Sequence, residues 1–188
     1  MGRAATWIRG AAFLVATSLA SLASHAAGAP AHDASSKAAA IAADAHVWRM
    51  TPDTAPALLA PLVAVKPDKP TEEEWTLSGA SVPDGVAWSR VVFQAGRKPG
   101  QWTLLQMQVA LATAGSEPPP TAAALARDLA RKLGKAKAPP SGKAEHLSTW
   151  TSHGHSVAVR EGTFASPIDD SKQHVVLLDL AVDQGEPD

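Results

Sequence analysis

The chain has 188 residues, with 17 Lys+Arg against 18 Asp+Glu, a formal net charge of −1 and no cysteine. That length suits one sizeable domain and is short for two. The missing cysteines exclude disulfides, thiolate zinc sites, thiol nucleophiles and lipid attachment through an N-terminal cysteine, and the near-zero charge argues against a general nucleic-acid binder, which needs a surplus of Lys and Arg.

The N-terminus has the three parts of an export signal. Arg3 and Arg9 form a short basic head. Residues 11–23 then run without a charge and include Phe13, Leu14, Val15, Leu19 and Leu22. Ser24-His25-Ala26 puts small residues at the two positions a signal peptidase reads, so cleavage is expected after Ala26. The apolar run falls short of the ~20 residues a membrane-spanning helix needs. Loss of residues 1–26 removes two basic groups and no acid, leaving a net charge of −3. No second long apolar run follows, so no membrane span is expected after cleavage. The chain contains no Asn, which excludes N-glycosylation. These features place the protein in the periplasm or among secreted proteins.

Residues 27–46 are dominated by Ala and Ser and read as a tether, disordered or weakly helical, because no large apolar stripe is available for docking. A single domain is expected over 47–188. Its leading segment, 51–70, carries Pro52, Pro56, Pro61, Pro67 and Pro70, which oppose regular helix or central strand.

Periodicity becomes legible from Glu74. Residues 75–80 form a short strand candidate closed by the turn chemistry of Val82-Pro83-Asp84-Gly85. In 86–94 the alternation places Ala87, Ser89, Val91 and Phe93 on one face and Val86, Trp88, Arg90 and Val92 on the other. A Gly/Pro-rich loop, 95–100, leads to a longer strand at 102–112, with Leu105, Met107, Val109 and Leu111 on its apolar face. Thr121 then caps a helix whose Leu125, Leu129 and Leu133 recur every four residues, with Gly134 at its end. Strand candidates at 147–152 and 156–164 flank a reversal at His153-Gly154, and 174–182 is the last. This order, hairpin, helix, hairpin, predicts an α+β fold: an antiparallel sheet of four to five strands with one amphipathic helix on one face.

Several constellations bear on chemistry. His153 and His155 have the spacing of a copper or zinc chelate, with His146 and His174 as further ligands if the strands bring them near. The competing reading is a two-residue hairpin tip with Gly154 at the bend. Gly154-His155-Ser156-Val157-Ala158 loosely resembles a nucleophile elbow, but the residues after Ser156 continue as strand, not helix. Asp179 with Asp183, the Glu72-Glu73-Glu74 run and Asp169-Asp170 are carboxylates without an evident cleft. Arg127, Arg131, Lys132, Lys135, Lys137 and Lys143 cluster in sequence and suit either an anionic ligand or the negative end of the helix dipole. There are six Trp and no Tyr. If Trp88, Trp102 and Trp150 share the open sheet face, they form a binding surface.

The expectation is a small exported accessory protein without catalysis, using a sheet face or strand edge to engage another envelope component. No cofactor is assigned. Trp88, Trp102, Trp150, Arg131 and Lys132 are its candidate contact residues. The alternative is a copper- or zinc-handling protein built on His153 and His155.

Overall fold

The structure, a computed structural model, describes residues 29–113, 119–137 and 148–183. The export signal at 1–26 lies outside them, as do His146 and Lys143.

Seven strands form one fully antiparallel sheet: β1 (Lys66–Pro67), β2 (Glu74–Ser81), β3 (Val86–Ala95), β4 (Trp102–Ala112), β5 (Ser148–Ser152), β6 (His155–Ala165) and β7 (Lys172–Ala181). Their order across the sheet is β1-β2-β3-β4-β7-β6-β5. The helices are α1 (Ala29–Ala43), α2 (Ala55–Leu59) and α3 (Ala122–Leu133). The expected four- to five-stranded sheet with one helix is therefore corrected. The sheet is larger, and a second long helix lies beside the expected one. Two physical reasons account for the difference. Pro67 does not bar a strand at the sheet's rim, where its missing N–H is not needed. And α1 docks without large side chains, because Ala34, Ala38, Ala39 and Ala42 are small enough to let it lie close to α3.

Within the stretch expected as a tether, disordered or weakly helical, at 27–46, residues 29–43 form α1. Ala34, Ser35, Ala38, Ile41 and Ala42 are buried at a spacing of three to four residues, one side of the α1 helix. A 3-10 turn at Val47–Arg49 follows and buries Val47 and Trp48.

Helix α3 forms for local reasons. The Thr121 hydroxyl accepts the Ala124 N–H at 3.1 Å, and Gly134, at φ 85°, closes the other end with its N–H on the Ala130 carbonyl. Leu125 and Leu129 on its inner face are fully buried. They meet the sheet face that presents Leu77, Val91, Phe93, Met107, Val109, Leu111, Val157, Val159, Val176, Leu178 and Leu180. This is the main core, lying between α1, α3 and the sheet.

The opposite face, called the outer face below, has its own small apolar cluster: Ala87, Trp88, Ala110, Ala112, Val175 and Leu177, with Phe164 against it. Below that cluster the outer face is polar. Lys66, Ser78, Arg90, Gln108 and Asp179 stand in one cross-strand row over five strands.

Two register irregularities shift the expected alternation. One lies between Val86 and Trp88, and puts Val86 in the main core although Trp88 faces outward. The other, between Val92 and Phe93, leaves Leu105 as the extra residue of β4, so Leu105 does not share the inner face with Met107.

Candidate functional site

The outer face carries a groove of about 730 Å³ along β2 and β3. Its floor is Thr76, Ser78 and Arg90, residues of the polar face of two paired strands. The 68–73 connection supplies one wall, with Asp68, Lys69, Thr71 and Glu73. Pro167, in the turn between β6 and β7, closes the other side, so the long β6–β7 hairpin carries its turn over the outer face. Phe164, near the same turn, packs on the outer apolar cluster and anchors that hairpin.

The chain leading to the groove wall is held by a close backbone approach on the inner side of β2. A Cβ on Gly79 would stand 2.2 Å from the Ala64 carbonyl oxygen, so only glycine lets the chain run this near β2. Beyond it, Asp68 N–H donates to the Thr76 carbonyl at 2.9 Å, Trp75 Nε1–H to the Asp68 carbonyl at 3.0 Å, and Thr71 brackets Glu74 through its N–H and hydroxyl.

Charge in the groove is mixed. Glu74 Oε1 accepts the Thr76 hydroxyl at 2.9 Å and lies 3.4 Å from the Arg90 guanidinium. Asp68 and Glu73 add negative charge and Lys69 positive. Farther along the face, Asp179 accepts Gln106 Nε2 at 2.8 Å and lies 4.0 Å from Arg160. Such a surface can offer a guanidinium to a carboxylate and carboxylates to an ammonium group within one span.

The three tryptophans singled out from the sequence do not form a common platform. Trp88 is buried on the outer face, 3% exposed, with its Nε1–H unpaired. Trp150 is equally buried on the inner face and donates Nε1–H to the Gly134 carbonyl at 3.0 Å, which locks the end of α3 to β5. Trp102 is half-buried against the main core, edge-on to Trp75 at 5.6 Å between ring centroids. Alternation alone groups Trp88 with Trp102, but the irregularity at Leu105 moves Trp102 to the inner face. Arg131 and Lys132 stand exposed in the last turn of α3, and Arg131 pairs with Asp128 at 2.9 Å. That position complements the helix dipole and lies on the side of the sheet away from the groove.

His153 and Gly154 form a tight hairpin tip, both at positive φ, 51° and 85°. His153 points to solvent, while the His155 ring lies against Trp48, 4.8 Å between centroids, with its Nδ1 buried and unpaired. His174 faces Thr163, eight residues up β6 from His155 and roughly 25 Å away along the strand. It lies 3.7 Å from Glu161 instead. Among the described residues no three His, Asp or Glu side chains converge as a metal site. Ser156 sits within a hairpin strand, not at a strand-to-helix elbow. At the other end of the sheet, Asp169 accepts the Ser171 hydroxyl at 2.7 Å, and the Ser171 and Ser166 contacts hold its carboxyl below the usual range. Asp44 is lowered in the same way by the His46 N–H, then by its imidazole.

The groove residues escape a reading by motif, because they come from separate turns of the chain. The Pro-rich run before β2 was their only signal: it marks a segment that must lie along an edge. No helix among the described residues is long and apolar enough to cross a membrane. Comparison of the chain with protein-family models, with curated proteins and with solved structures finds no match.

Proposed function

We propose that the chain is an exported, non-catalytic binding protein that engages another envelope component through the outer face of its sheet. The observation that supports this reading is the mixed-charge groove over β2 and β3. Arg90 and Lys69 offer contacts for a partner's carboxylates, and Glu73, Glu74 and Asp68 for its amino groups. The fitting partner is a protein segment that presents both signs of charge. The hydroxyls of Thr76 and Ser78 supply adaptable hydrogen bonds between the charges.

Export enters this reading from residues 1–26. Intact-mass measurement of the chain recovered from expressing cells should give a product that begins at Ala27; a chain still beginning at Met1 removes the envelope from the proposal.

The groove is tested with a photo-crosslinking residue at Ser78 in living cells. The expected result is one captured envelope protein, lost in Arg90→Glu and bound directly by the purified chain in calorimetry. Crosslinks only to the chain itself, none at all, or capture unchanged by Arg90→Glu would overturn the reading. Turnover of any ester, glycan or phosphate substrate that Ser156→Ala abolishes would overturn the non-catalytic part.

A further inference from the structure

The rim of the sheet opposite the groove carries a second surface, independent of the proposed function. Among the described residues, strand β5 covers β6 as far as Val159, which pairs with Ser148. From Arg160 to Ala165, β6 runs on with β7 on one side and no strand among the described residues on the other.

The phase of the backbone follows from the hairpin tip. A two-residue turn makes Ser152 and His155 a hydrogen-bonded pair, so odd-numbered residues of β6 aim their N–H and C=O at the β5 side. The far end keeps this phase, since the even-numbered Ser166 donates its N–H to the Ser171 carbonyl, on the β7 side. Glu161, Thr163 and Ala165 therefore point their backbone donors and acceptors out of the sheet. The stretch has no Pro and no bulge in its register with β7, two of the devices that blunt an edge, and its charged residues, Arg160 and Glu161, stand at the end next to β5.

We infer that this edge pairs with the same edge of a second copy, antiparallel about a two-fold axis at Thr163. The register is fixed by what surrounds the strand. An axis at Gly162 would drive the copy's Ala165 into the place opposite Val159 that Ser148 already fills. An axis at Glu161 collides further and sets two carboxylates face to face. An axis at Phe164 shortens the ladder. With the axis at Thr163, Glu161 faces Ala165 of the copy, Thr163 faces Thr163, and about six backbone hydrogen bonds close the gap. The chain beyond Ala165 has by then turned away toward β7.

The side chains suit that register. Gly162 stands opposite Phe164 of the copy on the outer face, twice by symmetry, and since each Phe164 ring lies over Gly162 of its own chain, Gly162 adds no side chain that would crowd the copy. Thr163 is exposed and meets its own image, a pairing sheets favour. The ladder is short, so the dimer is concentration-dependent, and it joins the two sheets into one.

Sedimentation velocity over a concentration series tests it on the whole chain as recovered from expressing cells. Wild type should pass from monomer to dimer. Thr163→Lys and Thr163→Glu, each placing like charges across the axis, should stay monomeric, and an equimolar mixture of the two should dimerise. The absence of native cysteine permits a second measurement: under mild oxidation Thr163→Cys should form an intermolecular disulfide at least tenfold faster than Thr151→Cys, an exposed position on β5. A wild type that stays monomeric, a dimer that survives both charge variants, a mixture that stays monomeric, or equal oxidation rates would each overturn the inference. These outcomes leave the groove untouched, since its probe is at Ser78.

Discussion

At one rim of the sheet, β1 contributes two residues, one of them proline, and the chain after it is stitched to β2 by backbone bonds from Asp68 and Thr71. At the other rim, among the described residues, β6 runs past β5 from Arg160 to Ala165 in straight register with β7 alone. The first rim spends its backbone groups within the chain and presents side chains around a groove. The second presents the backbone itself. A sheet of this kind recognises by side-chain chemistry where its edge is covered and by strand pairing where it is bare.

The contrast breaks most visibly at Gly79. Any Cβ there meets the Ala64 carbonyl, a backbone atom that moves only with its segment. Gly79→Ala should lower stability by about 2–3 kcal/mol, the cost of overpacking a tight contact, and should weaken capture at Ser78 by moving the groove wall. Urea unfolding measures the first effect. A loss below about 0.5 kcal/mol would mean that the 64–71 segment peels from β2 readily and that the two rims are alike.

Proline substitution sharpens the comparison within β6. Gly162 directs its N–H toward β7, so Gly162→Pro deletes a ladder bond and should cost about 2 kcal/mol through the carbonyl left unsatisfied. Thr163 directs its N–H outward, so Thr163→Pro should change monomer stability by under about 0.5 kcal/mol while abolishing the dimer. Equal losses at the two positions would contradict the assigned phase.

How much of this was legible in the sequence depended on whether local chemistry decided the structure. Helix α3 was readable end to end, because Thr121, Gly134 and three leucines act within the helix itself. The six segments of alternating or β-branched residues after Glu74 are strands, since a half-buried pleat selects that pattern wherever it pairs. The sheet was still undercounted, because local pattern marks a strand but not how many strands share one sheet, and because strand β1 exists only through its partner: Lys66 and Pro67 carry no pattern of their own. The docking of helix α1 was illegible for the same reason. Its alanines look like a linker until α3 is present to receive them. Trp102 changed face through one irregularity, at Leu105, that no periodicity announces. The groove and the bare edge were the least legible, since both are properties of topology.

A smaller effect checks how the bare rim is held from above. The Glu161 carboxylate accepts the Ala122 N–H at 3.1 Å, tying the start of α3 to β6 beside the open edge. Thr121 caps the same turn. Thr121→Ala should cost about 1 kcal/mol, and Glu161→Ala a similar or smaller amount, since one half-exposed charged contact at a helix N-terminus is lost. The double variant should lose less than the sum, because both side chains serve the same helix end. Additive losses would show that they act on separate turns.

The smallest expected effect is one of pH, in the turn that ends the open strand. The Ser171 and Ser166 contacts hold the Asp169 carboxyl below its ordinary value of 3.8. A carboxyl with a depressed value in the folded chain stabilises it above the unfolded value. That contribution fades as the pH falls from about 4 through the folded value, because protonation then costs the folded state a contact the unfolded state never had. Wild type should therefore lose its small advantage over Asp169→Asn as the pH is lowered from 5 toward 3, read as a narrowing difference in urea midpoint. Asp44 titrates in the same window under the His46 contacts, but at the end of α1, away from both rims. The Asp169→Asn comparison therefore isolates the β6–β7 turn. A midpoint difference that stays constant from pH 5 to 3 would remove Asp169 from the forces that shape the end of the bare edge.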